Sequence, residues 1–421
     1  MPNNLADWLT YLESLHPKTI ALGLERVAQV KQRLNLQPDF PLIVVGGTNG
    51  KGSVCAMLEA ILHAAGYRVG CYTSPHFLDY NERVRVGKQQ ASDAELCASF
   101  AQIEEVRGDI PLTYFEFGTL AAMQCFISHK VDVAILEVGL GGRLDAVNVF
   151  DADCSVVTGI DIDHVDYLGN TREQIAFEKA GIYRKGRVAI CADSDAPQAL
   201  RKHAREIGAE LWCIGSEFGF ARHDGQWDYR SSIGSRSAMP FPALRGAFQL
   251  NNASAVLAAL DAMKEKLSVS MEAVRRGLVE VQLAGRFQFV PGRPQLILDV
   301  AHNPHAARSL AQNLANLPPA KTFAVFSMLK DKDIAGVVHA LDAQIDFWLV
   351  AGIDAPRGAT ATELAQILQE EQVRGPILVF PSIAAALHEA SNQAGENDRI
   401  MAFGSFYTVA EVMRVRGLRG G

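Results

Sequence analysis

The segment Gly46-Gly47-Thr48-Asn49-Gly50-Lys51-Gly52-Ser53 carries the strongest chemical signal in the chain. It follows the apolar run Pro41 to Val45 and opens a stretch of helical spacing from about Ser53 to Ala65. Glycines let backbone N–H groups curl round an anion, a helix start adds positive potential, and Lys51 supplies a mobile cation. The pattern predicts a phosphate-binding loop. Two positions depart from the general P-loop pattern: Val45 stands where its first glycine falls, and Gly52 follows the lysine in place of Ser or Thr. A glycine-rich turn without a ligand is the plain alternative.

Further polar groups stand at the ends of apolar runs. Glu137 closes Val131 to Glu137, and an acid ending a buried strand is costly unless something cationic meets it. In a parallel sheet the strand C-terminal ends form the ligand crevice, so Glu137 is placed beside the phosphate loop as a carboxylate for Mg²⁺. An acid at a solvent-exposed strand end gives the same letter. Asp161-Ile162-Asp163-His164-Val165-Asp166 follows the strand Ser155 to Ile160 and reaches the same edge, with groups that suit a metal or a merely polar loop. Thr171 to Gly181 reads as a helix with a Thr171–Gln174 cap. Lys179 in its last turn reads on physical grounds as a solvated, dipole-favoured lysine. Asp299 to His305, Ser327 to Asp333 and Gly404 to Tyr407 each follow an apolar strand, and Arg286 lies in the segment before them. Each of these alone reads as readily as a surface loop.

The elements that must position these groups alternate. The first 35 residues carry helical spacing: Leu5, Trp8, Leu9, Leu12 and Leu15, then Leu24, Val27, Val30 and Leu34. Short apolar strands follow at Pro41–Val45, Val131–Glu137, Ser155–Ile160, Val188–Cys191 and Leu211–Ile214, with helical patterns between them. A second series runs through Leu296–Val300, Phe323–Phe326, Phe347–Val350, Ile377–Phe380 and Ile400–Phe403. Such alternation predicts mostly parallel sheets covered on both faces. Two Gly and two Pro in 285–294 mark a boundary. The expected architecture is α/β: residues 1–285 a P-loop-type domain, 286–292 a linker, and 293–421 a smaller Rossmann-like domain. Residues 216–245 read as a small β-excursion or loop region.

Composition narrows the class. A 421-residue chain predicts one to three domains at ~150 residues each. Its 48% hydrophobic and 21% charged residues suit a globular protein, and a net charge of −7 argues against a general nucleic-acid binder. No apolar run reaches ~18 residues, so no membrane span is expected. Seven scattered cysteines without a CxxC motif suit buried thiols in a reducing compartment, and Met1 to Asp7 lacks the marks of a leader; the expected location is the cytoplasm.

Taken together, the motifs resemble the Mur ligase family, and within it the folate branch. The resemblance rests on Gly47–Ser53, Tyr72-Thr73-Ser74-Pro75-His76, Asn81–Arg85, Leu140–Ala146, Asp163–Gly169, Phe177–Ile182 and Asp299–Pro304, in family order from about residue 40 to 410. It implies an ATP-binding domain, a Rossmann-like domain and catalysis between them. It assigns ATP phosphates to Gly47, Thr48, Asn49, Gly50, Lys51, Gly52 and Ser53. Further nucleotide contacts go to Gln249, Asn252, Arg286 and Asp299; a helix cap is the alternative for Asn252. One Mg²⁺ goes to Ser74 and Glu137, and a second to His164 with Lys179 carbamylated. Pro75, His76, Arg83, Tyr114, Phe115 and Asp145 fall to the pterin substrate, and His302 and Ser405 to the incoming glutamate. Lys51, Lys179, His164, Arg286 and His302 form the implied catalytic set. The implied reaction adds L-glutamate to dihydropteroate and to reduced folates through an acyl phosphate, in a monomer that binds neither nucleic acid nor membrane. The alternatives are a peptidoglycan-precursor ligase of the same family and a non-ligase P-loop ATPase or switch.

Overall fold

The computed structural model describes residues 2–16 and 20–420, which divide into two compact units. The first comprises 1–76, 80–243 and 250–281; the second comprises 77–79, 244–249 and 282–421.

Eight strands build the main sheet of the first unit: β1 Leu42–Gly46, β2 Val69–Tyr72, β3 Val84–Val86, β4 Gln89–Gln90, β5 Val133–Glu137, β6 Cys154–Val157, β7 Val188–Cys191 and β8 Glu210–Cys213. Their order is β4-β3-β2-β5-β1-β6-β7-β8. β2, β5, β1, β6, β7 and β8 run parallel, and β3 and β4 add an antiparallel edge. Every residue of β1, β2, β5 and β6 is buried, which is why these strands read as unbroken apolar runs rather than alternating ones. The helix Lys51–Ala64 leaves β1 with Ser53 to Leu62 buried throughout. A second helix, Met271–Glu280, lies so close that a Cβ on Gly277 would stand 2.5 Å from the Ile61 Cα.

The two N-terminal helices are Leu5–Ser14 and Glu25–Arg33. Residues 218–239 form an antiparallel sheet of their own, β9 Phe218–Arg222, β10 Trp227–Ser231 and β11 Gly234–Met239, ordered β11-β10-β9. The helix expected at 171–181 spans Arg172–Ala180, with the Thr171 side chain accepting from the Gln174 amide. The strand expected to reach Ile160 ends at Val157: Thr158 turns back with its hydroxyl on the Gly46 and Asn49 carbonyls, 3.2 and 2.8 Å away.

The second unit holds β12 Gln288–Val290, β13 Gln295–Leu298, β14 Thr322–Phe326, β15 Phe347–Ala351, β16 Ile377–Phe380 and β17 Arg399–Phe403, in the order β12-β13-β17-β14-β15-β16. All pairs are parallel except β12 with β13. Apolar clusters cover both faces, one around Phe326 and Trp348, the other around Leu298 and Met413. The linker expected at 286–292 is part of this unit. Phe289 pairs with Ile297, so the Gly/Pro punctuation marks the hairpin between β12 and β13 rather than a tether. Residues 244–249 also pack here, through the Ala247 amide on Asn313 and Phe248 stacked on His305. Among the described residues no helix is long and apolar enough to cross a membrane.

Candidate active site

The C-terminal ends of β2, β5, β1 and β6 stand side by side, with Val45 opposite Glu137 and Gly46 opposite Val157. Four loops therefore open on one rim, the crevice edge of a parallel sheet. The phosphate loop leaves β1 with Gly47 and Gly50 at φ 139° and 97°. Gly50 is the left-handed residue just before the helix Lys51–Ala64, which aims its first N–H groups into the loop. A Cβ on Gly50 would meet the Asn252 Oδ1 at 2.7 Å, so this amide lies against the phosphate loop. Asn252 sits inside the helix Gln249–Ala262 and does not cap it; Gln249 begins that helix and packs with the second unit. The Lys51 Nζ donates to the Gly47 and Thr48 carbonyls at 3.0 and 3.2 Å, poised over the loop.

On the β5 side, the Glu137 carboxylate is 4% exposed and its Oε2 accepts the Ser74 amide at 3.1 Å. Ser74 and Glu137 thus meet, and both offer hard oxygen atoms. Ser74-Pro75 is a cis peptide. Next to it lies an aromatic–cationic cluster. Arg83 stands over the rings of Tyr80 and Tyr114 at 5.3 and 5.4 Å and donates to the His76 Nδ1 at 2.8 Å. Burial, then the Arg83 charge, push the His76 ring down to about 4, so it is a neutral acceptor at pH 7. Phe115 packs on Tyr72 at 5.7 Å and on Gly139, where a Cβ would stand 2.7 Å from its ring.

On the β6 side, the Thr48 hydroxyl and Asp161 backbone bond each other in both directions, at 3.0 and 3.1 Å. This holds the loop bearing Asp163 and His164, the latter at φ 52°. Lys179 is 4% exposed, and burial, then the Lys51 charge, pull its ammonium down to about 7 against the raising effects of Asp163 and Asp145. Asp145 is pushed up to about 7 by burial, opposed by the Leu140, Val147 and Gly139 amides and by Lys51. Two lysines and two aspartates are therefore electrostatically coupled at the base of the loops. The burial of Lys179 is a tertiary fact and reverses the solvated-lysine reading.

Among the described residues no group of three or more His, Cys, Asp or Glu side chains could by itself hold a metal ion. The buried Glu137 with the adjacent Ser74 fits Mg²⁺ or Mn²⁺, which bind through one or two carboxylates plus phosphates and water.

In the second unit, the Asp299 carboxylate accepts the Phe287 and Ala301 amides at 2.7 and 2.8 Å. Burial raises its pKa against the Arg286 charge beside it. Arg286 lies over the Phe406 ring at 5.2 Å, and the His302 Nδ1 is 2.8 Å from the Val300 carbonyl oxygen. Ser405 is buried and caps the helix Phe406–Val415 through the Thr408 amide. β13 and β17 are adjacent, so Asp299, His302 and Ser405 share one rim of this unit.

Sequence reasoning passed over Thr158, which closes the phosphate loop, and Tyr80, whose ring Arg83 lies over. It also passed over Glu59 and its buried ion pair with Arg85, a residue read only as part of the Asn81–Arg85 motif. An acid in an apolar helix and an arginine between valines were the available signals for that pair.

Comparison with known proteins places these units. Residues 45–260 match the Mur ligase middle domain, and residues 285–406 match the Mur ligase glutamate ligase domain. The chain is 47% identical over 413 residues to dihydrofolate synthase/folylpolyglutamate synthase of Escherichia coli strain K12, covering 98% of this chain and 95% of that one. The structure of E. coli FolC in complex with DHPP and ADP superposes with a TM-score of 0.94 at 46% identity, over 99% of this chain and 98% of that one. A bifunctional folylpolyglutamate synthase/dihydrofolate synthase with Mn, AMPPNP and L-glutamate bound gives 0.92 at 47%, over 99% and 98%. The chain belongs to the Mur ligase family, among its dihydrofolate synthase/folylpolyglutamate synthases.

Proposed function

We propose that the chain adds L-glutamate to dihydropteroate and to reduced folates at the expense of ATP, working as a monomer in the cytoplasm. The observation that carries this is the meeting of the Lys51 loop and Ser74–Glu137 on one sheet rim, in a chain alike to ligases solved with nucleotide, Mn and L-glutamate. The glutamate ligase domain match and these relatives favour it over a peptidoglycan-precursor ligase and over a non-ligase switch. The seven cysteines are all free thiols, six of them buried, which suits a reducing compartment.

A carboxylate does not condense with an amine at neutral pH, because oxide is a poor leaving group. Bound Mg²⁺–ATP supplies the phosphoryl group that makes the pterin carboxylate an acyl phosphate, from which the glutamate amine displaces phosphate. The amides of Gly47 to Ser53 and the Lys51 ammonium hold the phosphate oxygens and stabilise charge that builds during transfer. Ser74 and Glu137 would hold one divalent ion, and His164 with Lys179 a second, and such ions would draw charge from the phosphate oxygens. The neutral amine of Lys179, favoured by burial, is able to add CO₂ as a carbamate with loss of one proton; counted from the ammonium, two protons leave and a cation becomes an anion. Arg83, Tyr114 and Phe115 bind the pterin ring system by stacking, with His76 accepting a hydrogen bond from Arg83. Pro75 and Asp145 shape that pocket. Asn252, Gln249, Arg286 and Asp299 serve the nucleotide, and His302 and Ser405 the glutamate.

The test is isotope transfer. Dihydropteroate labelled with ¹⁸O in its carboxylate passes one label into inorganic phosphate if the acyl phosphate forms. Label retained wholly in the product carbonyl and water refutes this route.

A further inference from the structure

We propose that the buried Arg85–Glu59 ion pair is a positioning device, fixing the spacing between the phosphate-loop helix and the Thr73–Ser74 turn. Through that spacing it aligns Ser74 and Glu137 for a divalent ion. The inference rests on the reading that this rim holds a metal–nucleotide complex.

Arg85 lies in β3 and Glu59 in the helix Lys51–Ala64, with side chains 14% and 7% exposed. The guanidinium uses its whole donor set. Nε faces both Glu59 oxygens at 3.2 Å, and Nη2 reaches Glu59 Oε2 at 2.8 Å and the Cys71 Sγ at 3.4 Å. Nη1 donates to the Thr73 Oγ1 at 3.2 Å and the Glu82 carbonyl at 2.8 Å. Three segments thus meet on one planar group. A buried ion pair is a poor device for stability alone, since apolar replacements of equal volume are often neutral or better. It is a good device for geometry, because the rigid fork fixes angles as well as distances.

The chain of contacts ends at the metal oxygens. Thr73 is followed by Ser74, whose amide donates to Glu137 at 3.1 Å, and the Thr73 amide is itself fixed on the Arg83 carbonyl at 2.9 Å. At the other end, Glu59 is eight residues along a continuous helix from Lys51, ~12 Å at 1.5 Å per residue. The cation of the phosphate loop and the Ser74 turn are therefore referenced to one another through Arg85.

Two variants separate positioning from folding. Thr73→Val removes one hydroxyl and leaves the ion pair intact; Arg85→Lys keeps the charge and removes the fork. Mn²⁺ binding in the presence of a non-hydrolysable ATP analogue is read by electron paramagnetic resonance, alongside melting temperature and a Mg²⁺ titration of turnover. Each variant is expected to bind Mn²⁺ about tenfold more weakly, the scale for groups that orient metal ligands. KM for Mg²⁺ should rise more than kcat at saturating Mg²⁺ falls, and the double variant should be no worse than Arg85→Lys. Variants that bind Mn²⁺ as the parent does, with only the melting temperature lowered, overturn the inference. If Arg85→Lys fails to fold, Thr73→Val decides alone. Failure of the parent protein to bind Mn²⁺ with nucleotide refutes instead the reading of the rim.

Discussion

Gly47→Ala tests the phosphate loop at the place where the structure leaves no room. A Cβ built on Gly47 would lie 1.8 Å from the Thr158 Oγ1, 2.9 Å from its Cβ and 3.0 Å from its amide nitrogen. The backbone there has φ 139°, which alone costs ~1–3 kcal/mol for a residue with a side chain. Reaching ordinary contact at 3.4 Å requires the loop or Thr158 to retreat by 1.6 Å. Thr158 has little freedom to retreat, because its amide and hydroxyl are both fixed on the loop's own carbonyls. The loop must therefore move, and displacements of ~1 Å at a positioning element cost about 10²-fold in rate. We expect kcat/KM for ATP, followed by coupled ADP release, to fall at least a hundredfold while the melting temperature falls only slightly. The double variant Gly47→Ala/Thr158→Ala removes the 1.8 Å clash but not the backbone strain, and should recover part of the loss. A single variant that binds and turns over ATP as the parent does refutes the assignment of this loop.

Three further outcomes follow from the geometry of the first unit. Asp193→Ala removes the acceptor of the Ile160 amide at 2.7 Å and the partner of Arg172, which itself holds the Ile160 carbonyl at 3.0 Å; nucleotide affinity should weaken several-fold, measured by titration calorimetry, with ~1–2 kcal/mol lost in denaturant unfolding. Asp261→Ala strips the shared acceptor of Tyr229, Ser231 and Arg236 at 2.9, 3.0 and 2.5 Å, leaving a part-buried guanidinium without its carboxylate; a cost of ~3 kcal/mol is expected, with faster proteolysis within residues 218–239. Glu104 joins the first helix to Asp93–Arg107 through Tyr11 and a two-point contact with Arg107. Burial works to raise its carboxyl, but the Arg107 and Tyr11 bonds outweigh it and hold the folded-state pKa below the usual range. The contribution is therefore complete above the unfolded value of ~4.3 and vanishes as pH falls through the lower folded value. Glu104→Gln should lower stability by about 1 kcal/mol at pH 7, and the difference should close in strong acid.

Much of the rim was legible because its residues are local to strands. Gly47, Gly50 and Lys51 are read from an eight-residue segment, and Glu137 from its place at the end of an apolar run. The parallel sheets were legible because β1, β5, β6, β14 and β17 are buried on both faces and leave no alternation. What escaped depends on neighbours distant in sequence. Lys179 looks solvated until the fold buries it near Lys51, and its ordinary pKa is lost to that environment. Arg85 and Glu59 are 26 residues apart on different elements. β3 and β4, three and two residues long, are too short to show a period. The sheet at 218–239 reads in the sequence as either a β-excursion or a loop, because it is mostly half-buried or exposed and apolar patterning is weak there; the Trp227–Met239 and Tyr229–Arg236 pairings define it. The proline–glycine segment at 285–294 signalled a break in the chain, and the break is a strand turn inside the second unit.

The most direct measurement is ADP release under a matrix of substrates: dihydropteroate or a reduced folate, each with and without L-glutamate, with product mass read in parallel. The account predicts sustained release only when a pterin acid and L-glutamate are both present, and a product heavier by one glutamyl residue for each ADP formed. Sustained release that ignores the pterin acid or the amino acid, or a product of unchanged mass, contradicts it.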